Sequence, residues 1–318
     1  MLATMEITGE RPGPHLLITG GVHGDEFEPM AAVRQLAREL PPEVLRGRVT
    51  LVPVVNESAF RLGQRCAEDG LDLARTCPGR ADGSVTERIA FELSQLIRSA
   101  DLYIDLHTGG TRLTVLPLTG YVLHPDQAVL EQQRRMARAF GLPLIWGTDP
   151  NLPGRSLSIA RQANIPAIYA EYLGGGRFDP AGVAAYVRGC RGVMTEFGML
   201  EEEGKGHGEH GRHGNESSGK SVSCVSNSPS PLIVEDDRPG AGHMQVNHPA
   251  PCEGFFESAV ALGQRVAFGD VIGTVCDPLG RRTEVIRSRY SGIVIVLHTF
   301  QRVENGVSVA VVLEVAEY

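Results

Sequence analysis

His15-Leu16-Leu17-Ile18-Thr19-Gly20-Gly21-Val22-His23-Gly24-Asp25-Glu26 is the stretch from which the fold of this chain is read. His15 to Thr19 is a short apolar run without alternation, the pattern of a strand buried on both faces. Gly20, Gly21 and Gly24 then let the backbone turn sharply. Beyond them Met30, Val33, Leu36 and Leu40 recur at helical spacing and predict a helix over 28–40. Strand, glycine-rich turn and helix open an α/β unit, and ligands of open α/β sheets gather at the carboxyl ends of the strands. His23 and Glu26 stand at such an end. Their spacing of three lets one turn bring an imidazole nitrogen and a carboxylate oxygen together, a normal pair for zinc.

Outward from this stretch the same grammar continues. Val49 to Val55, Leu102 to Leu106 and Ala167 to Glu171 are further apolar runs, none alternating cleanly, and predict more strands of a central sheet. Val85, Ile89, Leu93 and Leu96 predict a helix over 85–99, with Ser84 and Glu87 spaced as a capping box at its start. Helices are also expected at 126–140 and 180–198, so residues 1–200 read as an α/β domain. From Glu201 the chain turns to Gly, Ser, Glu and His without apolar periodicity, which reads as a flexible linker over 201–245. His207, His210 and His213 lie in it, and a metal there requires the chain to be ordered first. Residues 246–318 return to short β runs with turn signals, such as Gly292 to Leu297 and Val307 to Val315, and predict a small all-β unit.

Composition narrows the function. With 318 residues, 42% hydrophobic and 21% charged, the chain can bury a sizeable core, and collagen-like or wholly disordered readings are out. A net charge of −8 offers no basic field, so nucleic acid and anionic membranes are not expected as partners; small molecules or proteins remain. No stretch approaches the ~18 uninterrupted apolar residues of a membrane span, and the first residues lack a basic and apolar leader. The expectation is a soluble, cytoplasmic protein. Cys66, Cys77, Cys190, Cys224, Cys252 and Cys276 are widely spaced without a C-x-x-C pair, so free thiols are expected. Nothing in the sequence speaks to oligomeric state.

H-x-x-E alone is weak evidence, since His213 and Glu216 repeat it inside the linker. The first instance is set apart by its strand, turn and helix context and by His107, which ends the run Leu102 to Leu106 and supplies a third candidate ligand at the same sheet edge. Asp105, two residues earlier on the same strand face, is placed to orient a ligand. The alternative is a buried strand-end histidine bonded to backbone beside a surface H-x-x-E. Glu171 closes its own apolar strand at that edge, a costly place for a charge unless it serves as a base or pairs with an arginine. The long loop 56–79 carries Arg61, Arg65 and Arg75, which either clamp carboxylates bidentately or lie solvated.

Together GGVHGDE, NESAF, DLAR with the following PG, the SVTER helix start, DLHTGG and AEYLGGG resemble the succinylglutamate desuccinylase/aspartoacylase family in order and spacing. The resemblance covers nearly the whole chain, the His/Ser-bearing linker excepted. It implies a zinc carboxypeptidase-like α/β fold, with a mixed central sheet flanked by helices and a small C-terminal all-β barrel-like domain. It also implies one zinc ion per chain on His23, Glu26 and His107, with Glu171 as the base that activates water and passes its proton to the leaving amine. Arg65 looks like the arginine that polarises the scissile carbonyl, across a small insertion, and Arg75 like the one that grips a substrate carboxylate. The family motif is Asp-Leu-Asn-Arg, whereas Ala74 fills the Asn position here, so a substrate-binding amide is missing. The tail "LGQRVAFGDVIG" with "RYSGIVIV" resembles a lipoyl or biotinyl carrier barrel, but residues 246–318 contain no lysine to carry either group. The implied activity is deacylation of an N-acyl amino acid or similar small amide. A metallocarboxypeptidase and a metal-binding, non-catalytic homologue are the other readings.

Overall fold

The apolar runs become the middle of a large mixed sheet, in a computed structural model that describes residues 2–201, 230–244 and 247–315. Its strands are Met5–Thr8 (β1), Arg11–Thr19 (β2), Arg46–Val52 (β3), Leu102–His107 (β4), Leu113–Val122 (β5), Leu144–Thr148 (β6), Ala167–Gly174 (β7) and Leu232–Glu235 (β8). Seven more follow in the C-terminal part: Gly254–Ser258 (β9), Arg265–Val266 (β10), Val271–Cys276 (β11), Thr283–Arg287 (β12), Gly292–His298 (β13), Arg302–Val303 (β14) and Ala310–Glu314 (β15). The helices are Phe27–Glu39 (α1), Glu57–Leu62 (α2), Val85–Arg98 (α3), Gln127–Phe140 (α4), Ser156–Gln162 (α5) and Pro180–Glu196 (α6).

The strands fail to alternate because both faces are covered. Leu16, Ile18, Ile104 and Leu106 pack against α1, α4 and α6, while Leu17 and Tyr103 pack against α3 and α5. Each fully buried leucine or isoleucine here contributes about 1.5–3 kcal/mol relative to exposure. At the start of α3 the expected capping box forms: the Ser84 N–H donates to Glu87 at 2.8 Å.

Strand order runs β1-β3-β2-β4-β7-β5, with β2, β3, β4 and β7 mutually parallel, β1 antiparallel to β3, and β5 antiparallel to β7 but parallel to β6. The parallel register sets Thr19 against Asp105 and His107 against Glu171. Three separate segments of sequence therefore end at one edge. Beyond β5 the sheet continues through β13, whose Val296 to His298 pair with Val115 to Leu113, so part of the C-terminal region is hydrogen-bonded into the main sheet. The rest, β12-β11-β9-β14, forms its own four-stranded sheet over a core that includes Phe256, Ile272, Val275 and Val294.

The stretch read as a linker is not uniform. Leu232 to Val234 are apolar enough to add β8 in parallel to β6, and Glu235 fixes its end by accepting from Arg134 at 2.8 and 2.7 Å and from Tyr121 at 2.6 Å. His207, His210, His213 and Cys224 lie outside the described residues. The five described cysteines are unpaired, and among described residues no helix is long and apolar enough to cross a membrane.

Candidate active site

Between β2 and α1 the chain must turn within seven residues, and two glycines make that geometry available. Gly21 adopts φ +67°, and a Cβ on Gly24 would stand 2.1 Å from the Ala59 backbone. The turn delivers His23 and Glu26 inward, where they are 3% and 1% exposed.

Glu26 is the hub. One carboxylate oxygen meets His23 Nδ1 at 2.7 Å, the other meets His107 Nδ1 at 3.1 Å and accepts from the Thr108 N–H at 3.2 Å. One donor atom from each of the three side chains lies within 4.8 Å of the others, and the two imidazole centroids are 5.2 Å apart. Burial works against the Glu26 charge, yet the two histidines hold its pKa well below the usual carboxylate range. The far nitrogens are also engaged: His23 Nε2 with Asp72 at 3.1 Å and His107 Nε2 with Asp105 at 3.2 Å. Carboxylates behind two inward-facing imidazoles are the arrangement that orients metal-ligating histidines. Asp105 is itself fixed by Thr19, at 2.7 Å, and by Ser156, and Tyr186 donates to the His107 carbonyl. So many buried carboxylates around two imidazoles suit a divalent cation, whose charge would offset their burial cost.

Glu171, in register with His107, is 6% exposed, and its Oε2 is buried without a hydrogen-bond partner. Burial pushes its pKa up to about 8; His107 pulls it down and the Glu26 charge adds to the rise. Arg65 donates to Asp72 at 3.3 and 3.1 Å and lies 3.9 Å from Glu26. Asp72 thus ties Arg65 to His23, and despite burial these partners hold its carboxyl far below the ordinary range. Arg75 is lowered to about 10 by burial and by the charge of Arg155.

Of the residues singled out in the sequence, His23, Glu26, Arg65, Arg75, Asp105, His107 and Glu171 line one cavity of about 90 Å³. Ala74 lines it too. Sequence reading missed four contributors. Asp72 was visible only as the first residue of Asp-Leu-Ala-Arg, where it also caps a turn by accepting from the Ala74 N–H at 3.0 Å. Arg155, Tyr169 and Met244 share the cavity wall, and no spacing pattern marked them. Arg61 stays outside, 74% exposed at its side chain and paired with Glu57 at 2.6 Å. The cavity offers a metal-type donor set, a near-neutral carboxylic acid and fixed cations, the parts of a hydrolytic site acting on a polarised carbonyl.

Residues 12–196 match the model of the succinylglutamate desuccinylase/aspartoacylase catalytic domain. The N-alpha-acetyl-L-2,4-diaminobutyric acid deacetylase of Halomonas elongata is 32% identical over 315 residues, 96% of this chain and 83% of that protein. A succinylglutamate desuccinylase/aspartoacylase from Rhodobacter sphaeroides has a solved structure similar at TM-score 0.81 with 28% identity, covering 98% of this chain and 88% of that one. The product-bound ectoine utilization protein EutE (DoeB) of Ruegeria pomeroyi is similar at TM-score 0.80 with 28% identity, covering 97% and 87%.

Proposed function

The chain belongs to the succinylglutamate desuccinylase/aspartoacylase family, and from that premise we propose that it is a zinc-dependent amidohydrolase removing the acyl group from an N-acyl amino acid or similar small amide. His23, Glu26 and His107 would hold one ion per chain. When bound, zinc supplies Lewis-acid polarisation of a water molecule and of the acyl oxygen.

The observation that carries the reading is the unpartnered Glu171 oxygen beside that donor set. Burial raises the Glu171 carboxyl above the ordinary range, which suits it to proton transfer: ionised, it takes a proton from the attacking water; protonated, it returns that proton to the departing amine. Arg65, pinned by Asp72, supplies positive charge where the acyl oxygen becomes negative. Arg75 grips the substrate carboxylate, and Arg155 adds a second guanidinium on the same wall. Asp72 and Asp105 hold the imidazoles in orientation. The free thiols fit a reducing cytoplasm.

The Halomonas relative bears the name of a deacetylase of an acetylated diamino acid, so N-acetyl amino acids are the first substrates to try. Free amine released from a panel of N-acetyl and N-succinyl amino acids tests the proposal. Wild type should release it, and Glu171→Gln should lose at least ~100-fold in kcat with its metal retained. Equal turnover in that variant would remove Glu171 from the chemistry. Cleavage of unblocked dipeptides without any deacylation would move the chain to the metallocarboxypeptidases.

A further inference from the structure

Two chambers meet at the catalytic edge of the sheet. The inner one, about 90 Å³, holds the His23, Glu26, His107 and Glu171 group. The outer one, about 800 Å³, lies between the 63–66 and 109–113 loops and the C-terminal part, where His298 and Ser308 wall it. The inner chamber is much the smaller of the two and opens toward the outer one through shared walls. A complete N-acyl amino acid therefore has its room across both.

Four residues line both chambers: Arg65, Gly109, Leu113 and Met244. Gly109 has no side chain to offer and Arg65 is drawn to Asp72, so Leu113 and Met244 form the neck. Leu113 is fixed in β5 by its register with His298. Met244 arrives from a different part of the chain, at the end of the segment that follows β8. That segment is clamped: Gly240 N–H donates to Asp149 at 2.7 Å, Asp149 N–H donates to the Ala241 carbonyl at 3.2 Å, and the Arg155 guanidinium donates twice to the Gly242 carbonyl at 3.2 Å. Met244 then packs on the cluster containing Trp146 and Val115.

We propose that Met244, with Leu113, is the specificity-determining residue of this deacylase, fixing how bulky an acyl group can be next to the scissile amide. This rests on the deacylase reading above. The carboxylate-bearing half of the substrate sits inside against Arg75 and Arg155, and the acyl group extends through the neck into the outer chamber. A flexible, unbranched thioether tolerates several acyl shapes while excluding branching at the carbonyl.

The test compares kcat/KM for N-acetyl, N-isobutyryl and N-benzoyl derivatives of one amino acid. Met244→Ala should raise the ratio of the bulky substrates to the acetyl one by at least ~10-fold, in the range one to a few carbon atoms command in a pocket. Leu113→Ala should raise it too, Met244→Phe should lower it, and Met244→Leu should leave it within about twofold. A ratio unchanged in Met244→Ala and Met244→Phe, with metal content and melting temperature as in wild type, overturns the proposal. Should wild type release amine from none of the three, the deacylase reading has failed by itself. Calorimetric titration of the same compounds then decides the neck: the benzoyl-over-acetyl binding preference shifts in Met244→Ala if it is right and stays put if it is wrong.

Discussion

Replacing Asp72 by asparagine is predicted to weaken metal binding through His23 while leaving the fold in place. The wild-type carboxylate meets His23 Nε2 at 3.1 Å and takes two bonds from Arg65 at 3.3 and 3.1 Å, with its other duty the cap on the Ala74 N–H at 3.0 Å. Asparagine keeps an acceptor for the cap and for His23 but loses the charge that raises the ligand's basicity and draws in Arg65. Loss of an outer carboxylate costs about 10–100-fold in metal affinity, or about 1.4–2.8 kcal/mol. The isosteric amide should lie near the tenfold end, and Asp72→Ala, which also forfeits a cap of about 1 kcal/mol, near the hundredfold end with a lower melting temperature. Because the folded Asp72 pKa is depressed, its contribution is complete above the unfolded value of about 3.9 and is lost only as pH falls through the folded one. Asp72 therefore stays ionised from pH 6 to 8 and adds no titration of its own to the wild-type-to-variant gap there. Competition titration with a zinc chelator measures it, and affinity within twofold of wild type for both variants would refute the coupling of Asp72 to His23.

The raised Glu171 pKa of about 8 means that the metal-free fold binds a proton the unfolded chain has released, so its stability falls as pH rises from about 4.5 to 8; metal-free Glu171→Gln should out-melt wild type at pH 8 and by much less at pH 5, and an equal difference at both would contradict the assignment. Arg155→Ala should speed amide hydrogen exchange across 240–244 by removing both bonds to the Gly242 carbonyl, whereas unchanged exchange would mean the segment is held by other contacts. Gly24→Ala forces a Cβ to 2.1 Å from the Ala59 backbone and should cost about 1–3 kcal/mol, seen as a lower melting temperature with reduced metal content. Ala74→Asn adds an amide to the cavity wall and should lower KM for carboxylate-bearing N-acyl substrates about tenfold, the worth of one charge-assisted bond, while unaltered KM would place carboxylate selection elsewhere.

Much of this architecture was readable because burial on both sheet faces writes itself into sequence as unbroken apolar runs: β2, β4 and β7 contain the runs 15–19, 102–106 and 167–171, although β2 begins earlier, at Arg11, and β7 runs on to Gly174. Parallel order then follows from helices between strands, and it alone brings His23, His107 and Glu171 to one edge. β5 escaped notice because Leu113–Val122 interrupts its apolar residues with two threonines, a proline and a glycine, and its two edges are shared among β6, β7 and β13. β8 is four residues long, too short to outweigh the composition upstream of it. Asp72 and Arg155 act through long-range pairing, Asp72 across 49 residues to His23 and Arg155 across 87 to Gly242, and no local periodicity encodes such a contact. Met244 has the same origin, since its place in the cavity depends on β8 joining the sheet.

Metal content of the purified protein beside that of Glu26→Ala tests the central claim most directly. Glu26 joins both histidines through its two oxygens, so the account predicts one zinc per chain in wild type and essentially none in the variant, with amine release from N-acyl amino acids lost in step. A wild-type protein that hydrolyses these substrates with no metal bound, or a variant that keeps both its zinc and its activity, would contradict it.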